Sequence, residues 1–290
     1  MKTSNNVICA TSAGLTSVMM AIKFKQWYPN TQVVNVFLNT GKEDIRSLKF
    51  MNECDKHYKL NLVWLEAVIN PMRNKGTEYK VTTFDKLDKD GLMFEEGIKK
   101  YGIPSRVNKW CNRELKLEPL KKYANDIFGL DNWSLALGIR TDEIDRISEK
   151  YSENNTFYPP FENKVDKRER NKFWKDQPIK LELKGYEGNC DFCFEKSKRK
   201  RMTIVKENPT KVIWWDEMEK KYSLTEIEGK EQYNSMVLNG GAYFGRLNES
   251  VKQILKDSKK PFAKATDEYI YENDLFDLET DCGKNCNVEF

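Results

Sequence analysis

The residues with chemistry to offer are unevenly chosen. Seven cysteines stand beside a single histidine. A zinc site with two histidines is therefore excluded, and His57 is the sole candidate for imidazole catalysis. It falls near the expected end of a helix, where capping accounts for it. Cys111 and the pair Cys190-x-x-Cys193 are soft ligands of the kind that select zinc or iron–sulfur clusters. Cys282 and Cys286, near the C-terminus, offer a fourth ligand. Three thiolates leave one iron of a [4Fe–4S] cluster open, whereas four suit a closed cluster or a structural zinc. Inert or redox-active thiols are the alternative reading. Cys9 and Cys54 fall in apolar segments and read as core residues.

A second set suits anions. In the stretch from Gly138 to Arg146, Arg140 and Arg146 present planar forks that match phosphate or sulfate. Asp142 and Glu143 stand between them, placed to orient the arginines, bind Mg2+ or touch a ribose. A solvated loop of mutually paired charges is the plainer reading. From Val7 to Ala21 the chain reads as a strand, a small-residue turn and a helix. Ser12, Gly14, Thr16 and Ser17 occupy that turn, where a helix directs its free N–H groups and positive dipole end. Such a turn suits a phosphate or sulfate, and an ordinary capped connection is the alternative. The run from Lys196 to Arg201 would balance a negative cluster, bind phosphates or contact nucleic acid, or form a solvated helix face.

These residues need a frame. The periodicity predicts helices over 17–28 and 44–58 and buried strands over 33–38 and 62–65, which with the first strand gives β-α-β-α-β. That pattern defines an α/β fold: a twisted, mostly parallel sheet, Rossmann-like, with helices on both faces and ligands beyond the carboxyl ends of the strands. Both the turn at Ala10–Gly14 and Asn39-Thr40-Gly41 fall there. Residues 68–92 read as a polar, weakly periodic flap. A helix is expected from Phe94 to Tyr101, another after Trp110, a strand over Trp133–Ile139, a charged helix over Asp166–Asp176 and a basic one over Lys196–Glu207. The expected organisation is a core of 1–160, a completing segment of 161–208 that carries the cysteine pair, and a mainly helical C-terminal extension of 209–290. Charged residues make up 32% of the chain and no apolar run nears the roughly 20 residues of a membrane span. No membrane partner is therefore expected. With no export signal at Met1–Asn6, the expected compartment is the reducing cytoplasm, or the host cytoplasm for a phage-borne protein.

Four blocks in order resemble the 3′-phosphoadenosine 5′-phosphosulfate (PAPS) reductase-like branch of the PP-loop adenine-nucleotide (adenine nucleotide alpha hydrolase) enzymes, in a compact form similar to members carried by phages. They are Ser12–Ser17, Asn39–Glu43, Gly138–Arg146, and Cys111 with Cys190 and Cys193. The resemblance implies a PP-loop in which Ser12, Gly14, Thr16 and Ser17 hold phosphates. It implies that Asn39, Thr40, Gly41 and Glu43, with Gly138, hold adenosine, and that Arg140, Asp142, Glu143 and Arg146 serve catalysis. The cysteines, with Cys286, are implied to hold a [4Fe–4S] cluster, zinc being the alternative. Cys282 faintly resembles the mobile nucleophile of phosphosulfate reductases. The implied cofactors are an adenine nucleotide (PAPS, adenylyl sulfate (APS) or ATP) and, for ATP, Mg2+; the implied partners are a thioredoxin-like reductant or a nucleic acid.

The chain departs from the family in three places. Ala13 replaces a loop glycine, Thr16 replaces the Asp of ATP-cleaving relatives, and Cys111 stands where cluster enzymes have a pair. The expected function is an oxidoreductase or sulfurtransferase acting on an adenylyl sulfate. ATP-dependent activation with sulfur insertion into a nucleic acid, and a non-catalytic nucleotide- or nucleic-acid-binding protein, remain as alternatives.

Overall fold

The computed structural model describes residues 5–149, 155–188 and 190–266. Six strands form one sheet in the order β4-β3-β2-β1-β5-β6. They are β1 (Asn6–Thr11), β2 (Gln32–Asn39), β3 (Val63–Val68), β4 (Glu78–Thr82), β5 (Ser134–Ala136) and β6 (Thr156–Phe157). All neighbours are parallel except β3 and β4. The antiparallel β4 gives the polar, weakly periodic segment 68–92 a strand that the sequence did not indicate: its period-two pattern is short, and polar residues surround it. β6 was equally hidden, being two residues long.

Helices α1 (Leu15–Trp27) and α2 (Ile45–Tyr58) cover one face. Alternation along β1 sends Val7 and Cys9 to that side, where they meet Met20, Phe24, Met51 and Cys54. Cys9 and Cys54 are thus core residues, and burial pushes the Cys54 thiol up to about 12. His57 occupies the last turn of α2, as expected. Ile8, Val36 and Leu65 face the other way and pack on Leu120 and Ala124. Each fully buried aliphatic of this kind contributes about 1.5–3 kcal/mol.

After β4 come α3 (Leu92–Tyr101), α4 (Trp110–Asn112), a π-helical turn (Arg113–Leu117) and α5 (Glu118–Phe128). Pro119 explains the wide turn. It lacks the N–H that an α-helix would direct to the carbonyl four residues earlier, so the ladder skips a step. The chain continues through α6 (Pro159–Glu162), α7 (Lys167–Lys175), α8 (Lys198–Glu207), α9 (Ile213–Tyr222), α10 (Glu231–Leu238) and α11 (Val251–Asp257). A second core gathers Phe94 and Trp110 with Phe192, Met202, Trp215 and Phe244. It joins residues that are far apart in sequence and ties α9 to the sheet domain's own loops. Among the described residues, no helix is long and apolar enough to cross a membrane.

Candidate active site

From β1 the chain moves outward to β2 and β3, then returns to place β5 on the opposite side of β1. The direction of winding reverses between β1 and β5, and the loops leaving their carboxyl ends diverge to open a crevice. A cavity of about 300 Å³ lies there. Its apolar wall is formed by Phe37, Leu38, Leu120, Leu135 and Leu137. Its polar wall brings together three separated stretches of sequence: Ser12, Gly14, Thr16 and Ser17; Glu43; and Gly138, Arg140, Glu143 and Arg146.

The first stretch is a tight loop. The Ser17 hydroxyl donates to the Gly14 carbonyl at 3.0 Å and accepts from the Ser12 N–H at 3.1 Å. Gly14 is the N-cap of α1 and has no side chain to cover the first helical N–H groups, which are therefore presented at the crevice. Ala13 adopts φ +55, in the left-handed region that favours glycine, and its methyl is fully buried. Gly138 sits against this loop so closely that a Cβ there would lie 2.8 Å from the Ser17 Cα.

Arg140 is buried, with 8% of its surface exposed. Its Nε and Nη2 form two bonds of 2.9 Å with the Asp142 carboxylate, and its Nη1 donates to the Thr16 hydroxyl at 3.1 Å. Burial opposes ionisation of Asp142, but the Arg140 bonds outweigh it and hold the carboxyl below its usual range. Glu143 accepts from the Arg140 N–H and pairs with Arg146. Asp142 and Glu143 thus orient the arginines, one of the three roles expected of them. Asp142 itself does not line the cavity.

Asn39, Thr40 and Gly41 build the site without lining it. Asn39 is fully buried and donates to Glu66 and to the Asp88 carbonyl. Thr40 holds the Glu43 carboxylate through its N–H at 2.9 Å and its hydroxyl at 2.8 Å. Gly41 has φ +80, and a Cβ there would lie 2.7 Å from Asp88 Oδ2. Glu43 alone of this block reaches the cavity. Its burial raises its pKa, against the opposing pull of Lys116.

Four residues escaped sequence reasoning: Asn112, Lys116, Tyr158 and Arg170, which also line the cavity. Lys116 lies in the π-helical turn and Asn112 immediately before it. Arg170 is carried by α7, which Trp174 fixes to the start of α1 by donating from Nε1 to the Leu15 carbonyl at 2.9 Å. Among the described residues the cavity wall therefore holds four cationic side chains, Lys116, Arg140, Arg146 and Arg170, against the carboxylates of Glu43 and Glu143. Such an excess suits a polyanion with an apolar part.

Of the cysteines expected at a metal centre, Cys111, Cys190 and Cys193 lie among the described residues. Cys190 lines the cavity and pairs with Glu43 through a backbone bridge. Cys193 is buried near Arg201, and Cys111 packs on the second core. Among the described residues no three His, Cys, Asp or Glu side chains are grouped to hold a metal ion. The described residues thus do not assemble a metal centre, and Cys282 and Cys286 lie outside them.

The loop bearing Cys190 is held by two ionic latches. Lys42 meets Asp191 at 3.4 Å and lies 4.6 Å from the Trp214 ring centroid, while Trp215 Nε1 donates to Asp191. Lys211 bridges Asp44 and Glu187, each at 2.8 Å, and Arg46 bonds both carboxylates. The basic run expected to face solvent or ligand is largely interior: Lys196, Lys200 and Arg201 are each at most 2% exposed. Lys196 serves the loop directly, donating from Nζ to the Cys190 carbonyl.

Fold and site together define an α/β protein with an anion-suited crevice at the switch point of a mostly parallel sheet. Over 200 residues the chain is 30% identical to the uncharacterized nin region protein ORF290 of Escherichia phage lambda, an alignment that covers 67% of each chain, and it belongs to that protein's family. Two uncharacterized proteins of Methanocaldococcus jannaschii match more narrowly. One is 31% identical over 42% of this chain and 20% of its own length, the other 33% identical over 30% and 16%. No family model matches the chain. Among solved structures, the phosphoadenylyl-sulfate (PAPS) reductase of Candida auris in its phosphate complex aligns with a TM-score of 0.37 at 14% identity, over 61% of this chain and 74% of that one.

Proposed function

We propose that the chain is a PP-loop enzyme that binds an adenine nucleotide in the strand-end cavity and performs sulfur-linked chemistry on it. One observation carries the reading. Three sequence blocks that resemble PAPS reductase-like enzymes, spread from Ser12 to Arg146, contribute residues to one cavity. The apolar wall of Phe37, Leu38, Leu120 and Leu135 takes the base. The uncapped start of α1, the hydroxyls of Ser12, Thr16 and Ser17, and the four cations take phosphate and sulfate oxygens.

Thr16 brings no carboxylate to bind Mg2+, and both Asp142 and Glu143 are engaged by arginines. A phosphosulfate, which needs little metal, therefore fits better than ATP. The reading is thiol-dependent cleavage of an adenylyl sulfate, in which a thiol reductant supplies two electrons and sulfite leaves. The test is incubation with adenylyl sulfate, PAPS and ATP under a dithiol reductant, scoring sulfite and pyrophosphate. Sulfite from a sulfated nucleotide, lost on Arg140→Ala, supports the reading. Pyrophosphate from ATP moves the assignment to the activating branch, and neither product from any of the three overturns the enzyme reading.

A further inference from the structure

Two short stretches of the sequence are strongly basic, the run from Lys196 to Arg201 and the segment around α7. Residues 164–180 contain Lys164, Lys167, Arg168, Arg170, Lys172, Lys175 and Lys180 against Asp166, Glu169 and Asp176, an excess of four. The whole chain has a formal net charge of +4, so the remainder balances to zero. The structure gives that excess a shape. Arg168, Lys172 and Lys175 follow one another at the i, i+4 and i+7 positions of α7, which places them on a single face, and all three are exposed. Among the described residues none of the three is in an ion pair, unlike Lys198 of α8, which is tied to Asp257 at 2.8 Å.

Beside this face lies a groove of about 250 Å³ lined by Leu15, Asn171, Trp174, Lys175, Lys180 and Leu181. Leu15 also lines the strand-end cavity, and Arg170, the neighbour of Asn171, reaches into it. A row of cations, an apolar groove with an indole in its wall and the mouth of the cavity therefore form one track. We propose that this track is a docking surface for a nucleic-acid strand, with phosphates on Arg168, Lys172 and Lys175 and a sugar or base over the groove. A strand of evenly spaced phosphates alternating with flat apolar groups complements both halves of the track, whereas an acidic peptide complements the cations alone. The assignment goes beyond the nucleotide cavity and does not depend on which small anion fills it. It also relocates the nucleic-acid contact expected of the run from Lys196 to Arg201, whose side chains are mostly interior.

The experiment is fluorescence anisotropy of a fluorescein-labelled 20-nucleotide single-stranded DNA with the full chain between 50 and 200 mM NaCl. Two triple variants are compared. Arg168→Gln, Lys172→Gln and Lys175→Gln are combined on α7; Lys252→Gln, Lys256→Gln and Lys259→Gln, exposed on and after α11, remove the same charge elsewhere. Binding is expected to fall at least tenfold at 100 mM salt in the α7 variant alone. The slope of log K against log[salt] is expected to flatten by about 2, since each lost contact removes roughly 0.7. Nucleotide binding by the cavity, read on the same samples, stays at the wild-type value. No oligonucleotide binding at 50 mM salt overturns the proposal, as does equal loss in the two variants. Displacement by poly-glutamate at equal charge concentration also overturns it, because the surface would then be a site for acidic protein.

Discussion

Gly138→Ala isolates the geometry on which the nucleotide site depends. Its added Cβ would meet Ser17 at 2.8 Å from Cα, 3.0 Å from N and 3.1 Å from Cβ. These are mostly backbone atoms in the first turn of α1, so no flexible side chain can swing aside. Restoring an ordinary carbon–carbon separation of about 3.5 Å requires the two loops to part by roughly 0.7 Å. Overpacking of this kind costs about 1–3 kcal/mol, a fall in Tm of about 3–10 °C for a chain of this size. The same displacement stretches the 3.1 Å bond from Arg140 to Thr16 past hydrogen-bonding distance. Losing a bond from a charged group costs about 1.5–3 kcal/mol, and where the nucleotide must restore that geometry to bind, its affinity falls by the same energy, roughly 10- to 100-fold. Calorimetric titration with the nucleotide that the wild type binds, alongside thermal melting, reads both effects. Gly76→Ala is the control, because its Cβ would meet only the end of Lys122 at 3.6 Å. Wild-type affinity in Gly138→Ala would refute the close packing of the two loops and with it the shared site.

Three further outcomes follow from buried groups. Glu219 accepts from the N–H groups of Phe244 and Val251, and burial raises its pKa to about 7 from an ordinary 4.5. Because its folded pKa is raised, its stabilising contribution is full below pH 4.5 and is lost as the pH rises through 7. Relative to Glu219→Gln, the wild type should lose up to ~3 kcal/mol between pH 4.5 and 8 in denaturant melts; parallel curves would remove Glu219 as the cause. Trp215→Ala should cost about 3–5 kcal/mol by urea melting, since Trp215 is 1% exposed and packs on Phe94, Phe192 and Phe244. A loss under 1 kcal/mol would mean that α9 is not part of the core. Ala13→Gly relieves a left-handed alanine worth about 1 kcal/mol and loses a buried methyl worth about 0.8 kcal/mol, so its Tm should stay within about 2 °C of wild type; a large drop would place other strain in the loop.

The sheet domain was legible because its signals are local. The β-branched run Val33–Leu38 and the small-residue turn after β1 each specify one element, and parallel order then fixes where their carboxyl ends meet. The failures share a different cause. Whether a lysine is buried is set by packing partners far away in sequence, so the run Lys196–Arg201 reads as a solvated face until Phe192, Glu219 and the second core are in place. Lys116 and Arg170 depended on a π-helical turn and on one indole bond, neither of which periodicity reports.

The central claim is that an adenine nucleotide occupies the cavity between β1 and β5. Photolabelling with an 8-azidoadenosine nucleotide, followed by peptide mapping, tests it most directly. The account predicts label within residues 10–17, 36–43 or 135–146, protected by unlabelled nucleotide and abolished by Arg140→Ala. Protectable label confined to residues 209–266 would contradict it.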